Sequence, residues 1–202
     1  KYAGSPRKLI TIAEKILKKN YLEELKKTLR VASDRKAKMP NLFNNLFSIG
    51  ATYVTTNIDD HFSCLFDSNN VHYEPKKFSP AVLKPKNIVH LHGVINKPDS
   101  LVMTIDEYLN RYQDDEFRRF LKGVFYDEQY CFLFLGYGVD EMEIIDFIVQ
   151  KYSKGHKPLH FINHFYVLLP FFYNEETLYQ YEELYFDQIK MTVIPYSINA
   201  KG

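Results

Sequence analysis

Apolar positions recur along the chain with two different periods, and the alternation of those periods predicts the fold class. Leu9, Ile12, Ile16 and Leu17 share one face of a helix over about 7–19, and Leu22, Leu25 and Leu29 one face of a second over 21–31, with lysines opposite. Pro40 ends this segment and opens a short helix, 41–47. Gly50 leads into a run over 51–57 of small, β-branched and aromatic residues that suits a buried strand. That run stops in Asn57-Ile58-Asp59-Asp60, and residues 60–66 read as a helix capped by Asp59 or Asp60. Residues 67–86 are polar, carry Pro75, Pro80 and Pro85, and read as an irregular connection. A second apolar strand over 87–92 closes in His92-Gly93.

The second half continues the alternation. Thr104-Ile105-Asp106-Glu107 is a capping box that predicts a helix through Arg111 or Tyr112. A further helix over 115–126 sets Phe117, Phe120, Leu121, Val124 and Phe125 on one face. The unbroken apolar run 130–135 predicts a central parallel strand covered on both faces. It ends in Gly136-Tyr137-Gly138, and a helix showing Met142, Ile145, Phe147, Ile148 and Val149 starts near Asp140. A strand over 165–169 closed by Pro170, a helix over 175–187 and a strand over 191–195 complete the series. Strands alternating with helices predict an α/β domain with a largely parallel sheet flanked by helices, preceded by a helical N-terminal segment.

Composition adds bounds. The 202 residues, 46% hydrophobic and 25% charged, suffice for one α/β domain spanning 1–202, with a basic helical segment over 1–40 and a body over 41–202. Lys1, rather than Met, suggests part of a larger protein. No apolar run is long enough to cross a bilayer and no signal peptide is evident, so no membrane partner is expected. The two cysteines, Cys64 and Cys131, make no disulfide framework, and a cytoplasmic location is expected. Cys131, inside an apolar run, reads as a small core residue. Charge is uneven: residues 1–40 hold 12 Lys+Arg against 4 Asp+Glu, the remainder 14 against 21. The basic helices read as a solvated face complementing the acidic body, with a nucleic-acid surface as the lesser alternative.

Candidate chemistry gathers at two strand ends. Asn57, Asp59 and His92 follow apolar strands, and in open α/β sheets ligands bind at the carboxyl ends of the strands. Each stretch alone has a bland reading, as a turn former or a satisfied histidine beside a turn. His90 and His92, two apart on a strand, face the same way. With Asp59 they suggest metal ligands, but the rest of a ligand set cannot be named and no metal is expected. Gly136-Tyr137-Gly138 before a helix would let backbone N–H groups approach a phosphate or ribose, although Glu141 stands where a GxGxxG pattern has its third glycine. His156, His160 and His164 recur every four residues, but Lys157-Pro158 interrupts any helix there.

The series Thr56-Asn57-Ile58-Asp59, His92-Gly93 and Gly136-x-Gly138-x-Asp140 resembles the sirtuin superfamily over about 42–196, and most closely its bacterial sirtuin-like branch found in antiphage defence proteins. The resemblance implies a Rossmann-like domain that takes NAD⁺ as substrate. It implies that Asn57 positions the nicotinamide ribose and an attacking water, and that His92 is the general base acting on ribose hydroxyls. It further implies that Asp59 contacts the nicotinamide amide, and that Thr56, Gly136, Tyr137, Gly138 and Asp140 also line the dinucleotide. The implied activity is NAD⁺ hydrolysis to nicotinamide and ADP-ribose, depleting NAD⁺ in antiphage defence (abortive infection). The alternative is a non-catalytic nucleotide-binding or assembly module. A homo-oligomer and a phage-derived or defence-system protein are the partners expected. The chain departs from the pattern in three places. Gly138 replaces a serine. The family's first strand and Gly-Ala-Gly loop lack a clear counterpart, Ala3-Gly4-Ser5 being only faintly similar, so weak NAD⁺ binding is expected. The cysteine zinc module of protein deacetylases is absent, which favours hydrolysis over deacylation.

Overall fold

The computed structural model describes residues 6–29, 39–127, 130–136, 142–153, 165–172 and 174–198. They fall into two compact units, one ending at Phe120 and the other starting at Leu121. Both are built on parallel sheets flanked by helices, an α/β, Rossmann-like arrangement with a helical N-terminal segment.

In the first unit, α1 (Pro6–Leu17) and α2 (Tyr21–Leu29) form the N-terminal segment, joined by a single 3₁₀ turn, and α3 (Met39–Ser48) leads to the sheet. The sheet has three strands, β1 (Tyr53–Thr55), β2 (Val71–His72) and β3 (Ile88–His90), with β3 in the centre and parallel to both neighbours. Its centrality explains its composition: Ile88, Val89 and His90 are 1%, 0% and 1% exposed, because neighbours and covering elements take both faces. Strand β2 was hidden in a polar, proline-bearing stretch. It is short and half-buried, paired only through Val71↔Ile88 and His72↔Val89, so it carries too little apolar pattern to read from sequence.

The helix expected over 60–66 does not form. Asp59 Oδ1 accepts from the N–H of His61 at 3.0 Å, a turn made by the side chain that competes with helical bonding. One 3₁₀ turn follows at Ser63–Leu65, and Phe66 is extended. Aromatic packing holds this path: Phe62 and Phe66 meet edge-on at 5.1 Å, and both meet the ring of Tyr53. The hydroxyl of Tyr53 donates to the carbonyl of Leu46 at the end of α3. Helix α4 (Ile105–Gln113) starts where the capping box predicts, with Thr104 and Glu107 bonded reciprocally. Helix α5 (Asp115–Tyr126) matches its expected bounds, and Phe117, Phe120, Leu121, Val124 and Phe125 are all buried.

The second unit holds β4 (Phe132–Leu135), α6 (Met142–Ser153), β5 (Phe165–Phe172), α7 (Glu176–Gln188) and β6 (Thr192–Ile198), in a parallel sheet ordered β4-β5-β6. Three expectations change here. The apolar run at 130–135 is an edge of this sheet rather than its centre; Leu133 and Leu135 are 49% and 42% exposed. Cys131 is exposed rather than a core residue. Strand β5 runs through Pro170. Beyond the Leu135↔Leu168 pair only β6 accompanies β5 among the described residues, so the proline nitrogen can face the open side without breaking a ladder bond. The core here is Phe125, Phe165, Phe147, Ile144, Ile145 and Ile148, with Phe165 stacked at 5.0 Å on Phe132, its partner in register. Among the described residues no helix is long and apolar enough to cross a membrane.

Candidate functional site

The carboxyl ends of β1 and β3 lie side by side, because the parallel register sets Thr55 opposite His90 and is continued by Leu91 N–H donating to the Thr55 carbonyl at 2.9 Å. The residues just past those ends therefore share one rim. Thr56, Asn57 and Asp59 extend from β1, and His92 extends from β3. The N–H of Ile95 donates to the carbonyl of Ile58 at 2.7 Å, so the two exits stay paired beyond the strands. Asn57 is exposed at the rim, and its own N–H is turned back onto Thr55 Oγ1 at 3.0 Å.

His92 is 8% exposed. The backbone carbonyl of Thr56 hydrogen-bonds its ring, and Nε2 lies 3.0 Å from the hydroxyl of Tyr112. Tyr108 and Tyr112 stand one turn apart on α4 and present both rings edge-on to the imidazole, at 5.6 and 5.8 Å. Burial depresses the pKa of His92 to about 4, the nearby guanidiniums of Arg7 and Arg111 push it the same way, and the Thr56 carbonyl opposes them. At neutral pH the ring is therefore uncharged, with one nitrogen able to accept a proton.

Both arginines are held in place. Arg7, in the first turn of α1, sits over the Tyr108 ring at 3.7 Å. Arg111 donates to the carbonyl of Leu91 at 2.7 Å, which fixes the backbone just ahead of His92. Thr11 Oγ1 accepts from the N–H of Ile105 at 3.2 Å, so α1 is tied to the start of α4. The basic N-terminal segment thus contributes to the surroundings of His92 as well as to a solvated face. Gly93 follows with φ +78, and a Cβ there would lie 2.2 Å from the carbonyl oxygen of Ser100. Only glycine permits this tight passage.

His90 is the second imidazole of β3. Its Nδ1 lies 3.0 Å from the carbonyl oxygen of Asn57, and its ring is 1% exposed. His90, His92 and Asp59 do not assemble into a metal cage: among the described residues no group of three or more His, Cys, Asp or Glu could hold an ion.

The structure therefore connects Thr56 with His92 and Asn57 with His90, and leaves Asp59 bonded to His61 beside them. Gly136 is exposed with φ +62 after β4, as its turn requires, while Tyr137, Gly138 and Asp140 lie outside the described residues, as do His156, His160 and His164. Sequence reasoning missed Tyr108, Tyr112, Arg111 and Arg7. The i, i+4 tyrosine pair on a helix that begins twelve residues after Gly93 was the available signal.

The sequence profile of the SIR2-like domain matches residues 51–189, a stretch that includes all eight expected site residues and well over half of the chain. No match was found among curated proteins. With that profile matching well over half of its residues, the chain belongs to the SIR2-like domain family.

Proposed function

We propose that this domain hydrolyses the nicotinamide–ribose bond of NAD⁺, releasing nicotinamide and ADP-ribose, and serves antiphage defence by depleting NAD⁺. The observation that carries the reading is His92: a buried, uncharged imidazole at the carboxyl rim of a parallel sheet, oriented by Thr56 and Tyr112. Membership of a family that includes NAD-dependent enzymes supports it. In the reaction, water adds at the anomeric carbon and nicotinamide leaves with the bonding electron pair. As positive charge builds on the sugar ring His92 takes the proton of a ribose hydroxyl, and that oxygen takes a proton from the adding water in turn, so the one net proton released rests on His92. Asn57, exposed at the rim, offers its amide to the ribose and the attacking water. The carboxylate of Asp59 favours a cationic ring nearby.

The test is nicotinamide release from NAD⁺ by the whole protein. His92→Ala and Asn57→Ala should each lower turnover by about 10²–10⁴-fold, the range for a lost general base or its equivalent. His90→Ala should lower turnover much less. Near-normal release by a folded His92→Ala protein would instead favour a non-catalytic nucleotide-binding module.

A further inference from the structure

Helix α1 leaves in solvent the apolar row that its sequence pattern suggests for the core. Leu9, Ile12, Ile16 and Leu17 are between 37% and 72% exposed. The helix packs through another side, where Arg7 lies over the Tyr108 ring and Thr11 Oγ1 accepts from the N–H of Ile105. A surface helix ordinarily turns its apolar stripe to the core, so a stripe left outside marks a surface that another body covers.

A second such row lies on α7. The sheet side of that helix is occupied: Phe186 is buried, and the Tyr179 ring meets Phe171 at 5.5 Å. Leu178, Tyr181, Leu184 and Tyr185 are nevertheless between 38% and 66% exposed. The two rows match in spacing and length. Leu9, Ile12 and Ile16 stand at i, i+3 and i+7, and so do Leu178, Tyr181 and Tyr185, which is the spacing at which two helices interlock along a seam. The helices have 12 and 13 residues, or about 18 and 20 Å of length.

Their charges are opposite. Helix α1 carries Arg7, Lys8 and Lys15 against Glu14, and Lys18 and Lys19 follow it. Helix α7 carries Glu176, Glu182, Glu183 and Asp187 and no basic residue. Lys15 and Lys19 each stand three residues after a member of the row, Ile12 and Ile16. Asp187 likewise stands three residues after Leu184, with Glu183 one turn before it. All four charged residues are exposed. A nucleic acid would engage the lysines and leave the apolar row in water. A second copy of this chain covers both rows, because every copy brings one basic helix and one acidic helix.

We propose that α1 of one copy seats on α7 of another, apolar row against apolar row, with Lys15 and Lys19 facing the acidic flank of Glu183 and Asp187.

Charge-swapped chains test this by sedimentation velocity. Wild-type protein should form particles larger than the monomer, in a share that rises with concentration and falls with salt. Lys15→Glu with Lys19→Glu makes the facing flanks both acidic, and Glu183→Lys with Asp187→Lys makes them both basic. Each variant alone should associate about tenfold or more weakly than the wild type, because like charges then oppose. An equimolar mixture of the two should regain association, since each chain finds the complementary flank on the other. A contact formed within one chain would not be restored by mixing. Ile16→Ser, at the most exposed position of the row, should weaken association and leave the thermal stability of the monomer unchanged. Circular dichroism checks that every variant is folded. A monomeric wild type would overturn the proposal. So would a mixture that stays monomeric, or association that survives in either folded charge variant or is untouched by Ile16→Ser. Association is measured without substrate, so its outcome is independent of the NAD⁺-cleaving reading.

Discussion

The Nε2 of His92 and the hydroxyl of Tyr112 are 3.0 Å apart, and both residues are buried, at 8% and 7% exposure. The carbonyl of Thr56 can only accept from the imidazole, so the ring nitrogen facing it carries the hydrogen and the tyrosine hydroxyl donates to the other. Tyr112 thus stabilises the uncharged form of His92 and holds its lone pair toward α4. For the proposed reaction this means that a substrate hydroxyl must take the tyrosine's place at Nε2 or reach it through the tyrosine.

Tyr112→Phe tests that arrangement. It leaves a buried nitrogen without its donor, so the folded state should lose about 1–3 kcal/mol. A hydrogen bond to the neutral imidazole disfavours the charged one, so removing it should also raise the pKa of His92 above about 4. Chemical denaturation reads the first effect and NMR titration of the imidazole the second. An unchanged pKa would show that the tyrosine does not donate.

Stability should fall as pH drops from about 6.5 to about 4. The folded pKa of His92 is depressed to about 4, whereas the unfolded chain titrates near ~6.5. Between those values the unfolded state binds more protons, so acidification favours it, and above that window the residue adds no slope. His92 alone should account for roughly 3 kcal/mol across the window. His90 and His72 are shifted in the same direction by burial and add to the slope. Urea denaturation at intervals of pH checks this, and His92→Gln should flatten the curve.

Gly93→Ala combines two penalties. The residue sits at φ +78, and the new Cβ would meet the Ser100 carbonyl oxygen at 2.2 Å, which is backbone and cannot swing away. Left-handed strain and overpacking each cost about 1–3 kcal/mol, so a loss of about 2–6 kcal/mol is expected, with the backbone beside His92 displaced. Thermal unfolding reads the loss. Gly136→Ala is the contrast: its φ is +62, but among the described residues nothing lies within 4 Å of the added atom, so the backbone strain is the penalty expected.

Much of this architecture was legible because its signals are local. The capping box at Thr104 and the apolar face of α5 depend on side chains three or four residues apart, and both appear where expected. The strand ends at Asn57 and His92 were legible too, since an apolar run that breaks into polar residues marks the rim of a parallel sheet. What failed was decided by distant partners. The run at 130–135 looks central, but among the described residues it pairs with β5 alone, a fact set by strand order rather than by its own residues. Pro170 reads as a terminator, yet β5 passes through it, since among the described residues only β6 pairs with the strand there. The companions of His92 come from α1 and α4, so Arg7 lies 85 positions away in the chain and no motif spacing could have named it.

Those arginines give the last expectation, which concerns pH and rate together. The acid limb of kcat/KM reports the pKa of the free enzyme's base. If His92 is that base, the limb should fall near pH 4, because burial first, and Arg7 and Arg111 after it, hold the ring at about that value. Activity should therefore stay level from pH 5 to 8, where an ordinary histidine would lose it below about 6.5. Arg7→Gln removes one positive charge while keeping much of the side chain's length. With less repulsion the protonated ring is easier to form, so the pKa of His92 should rise and the acid limb should move upward with it, toward 6.5. Arg111 is the poorer choice for this test, since its bond to Leu91 also fixes the backbone before His92. The effect of Arg7 should shrink at high salt to the extent that its charge is solvent-screened. Profiles of nicotinamide release for wild type and Arg7→Gln, each paired with an NMR titration of His92, decide the matter. A limb that stays put while the imidazole pKa moves would mean that some other group is the base.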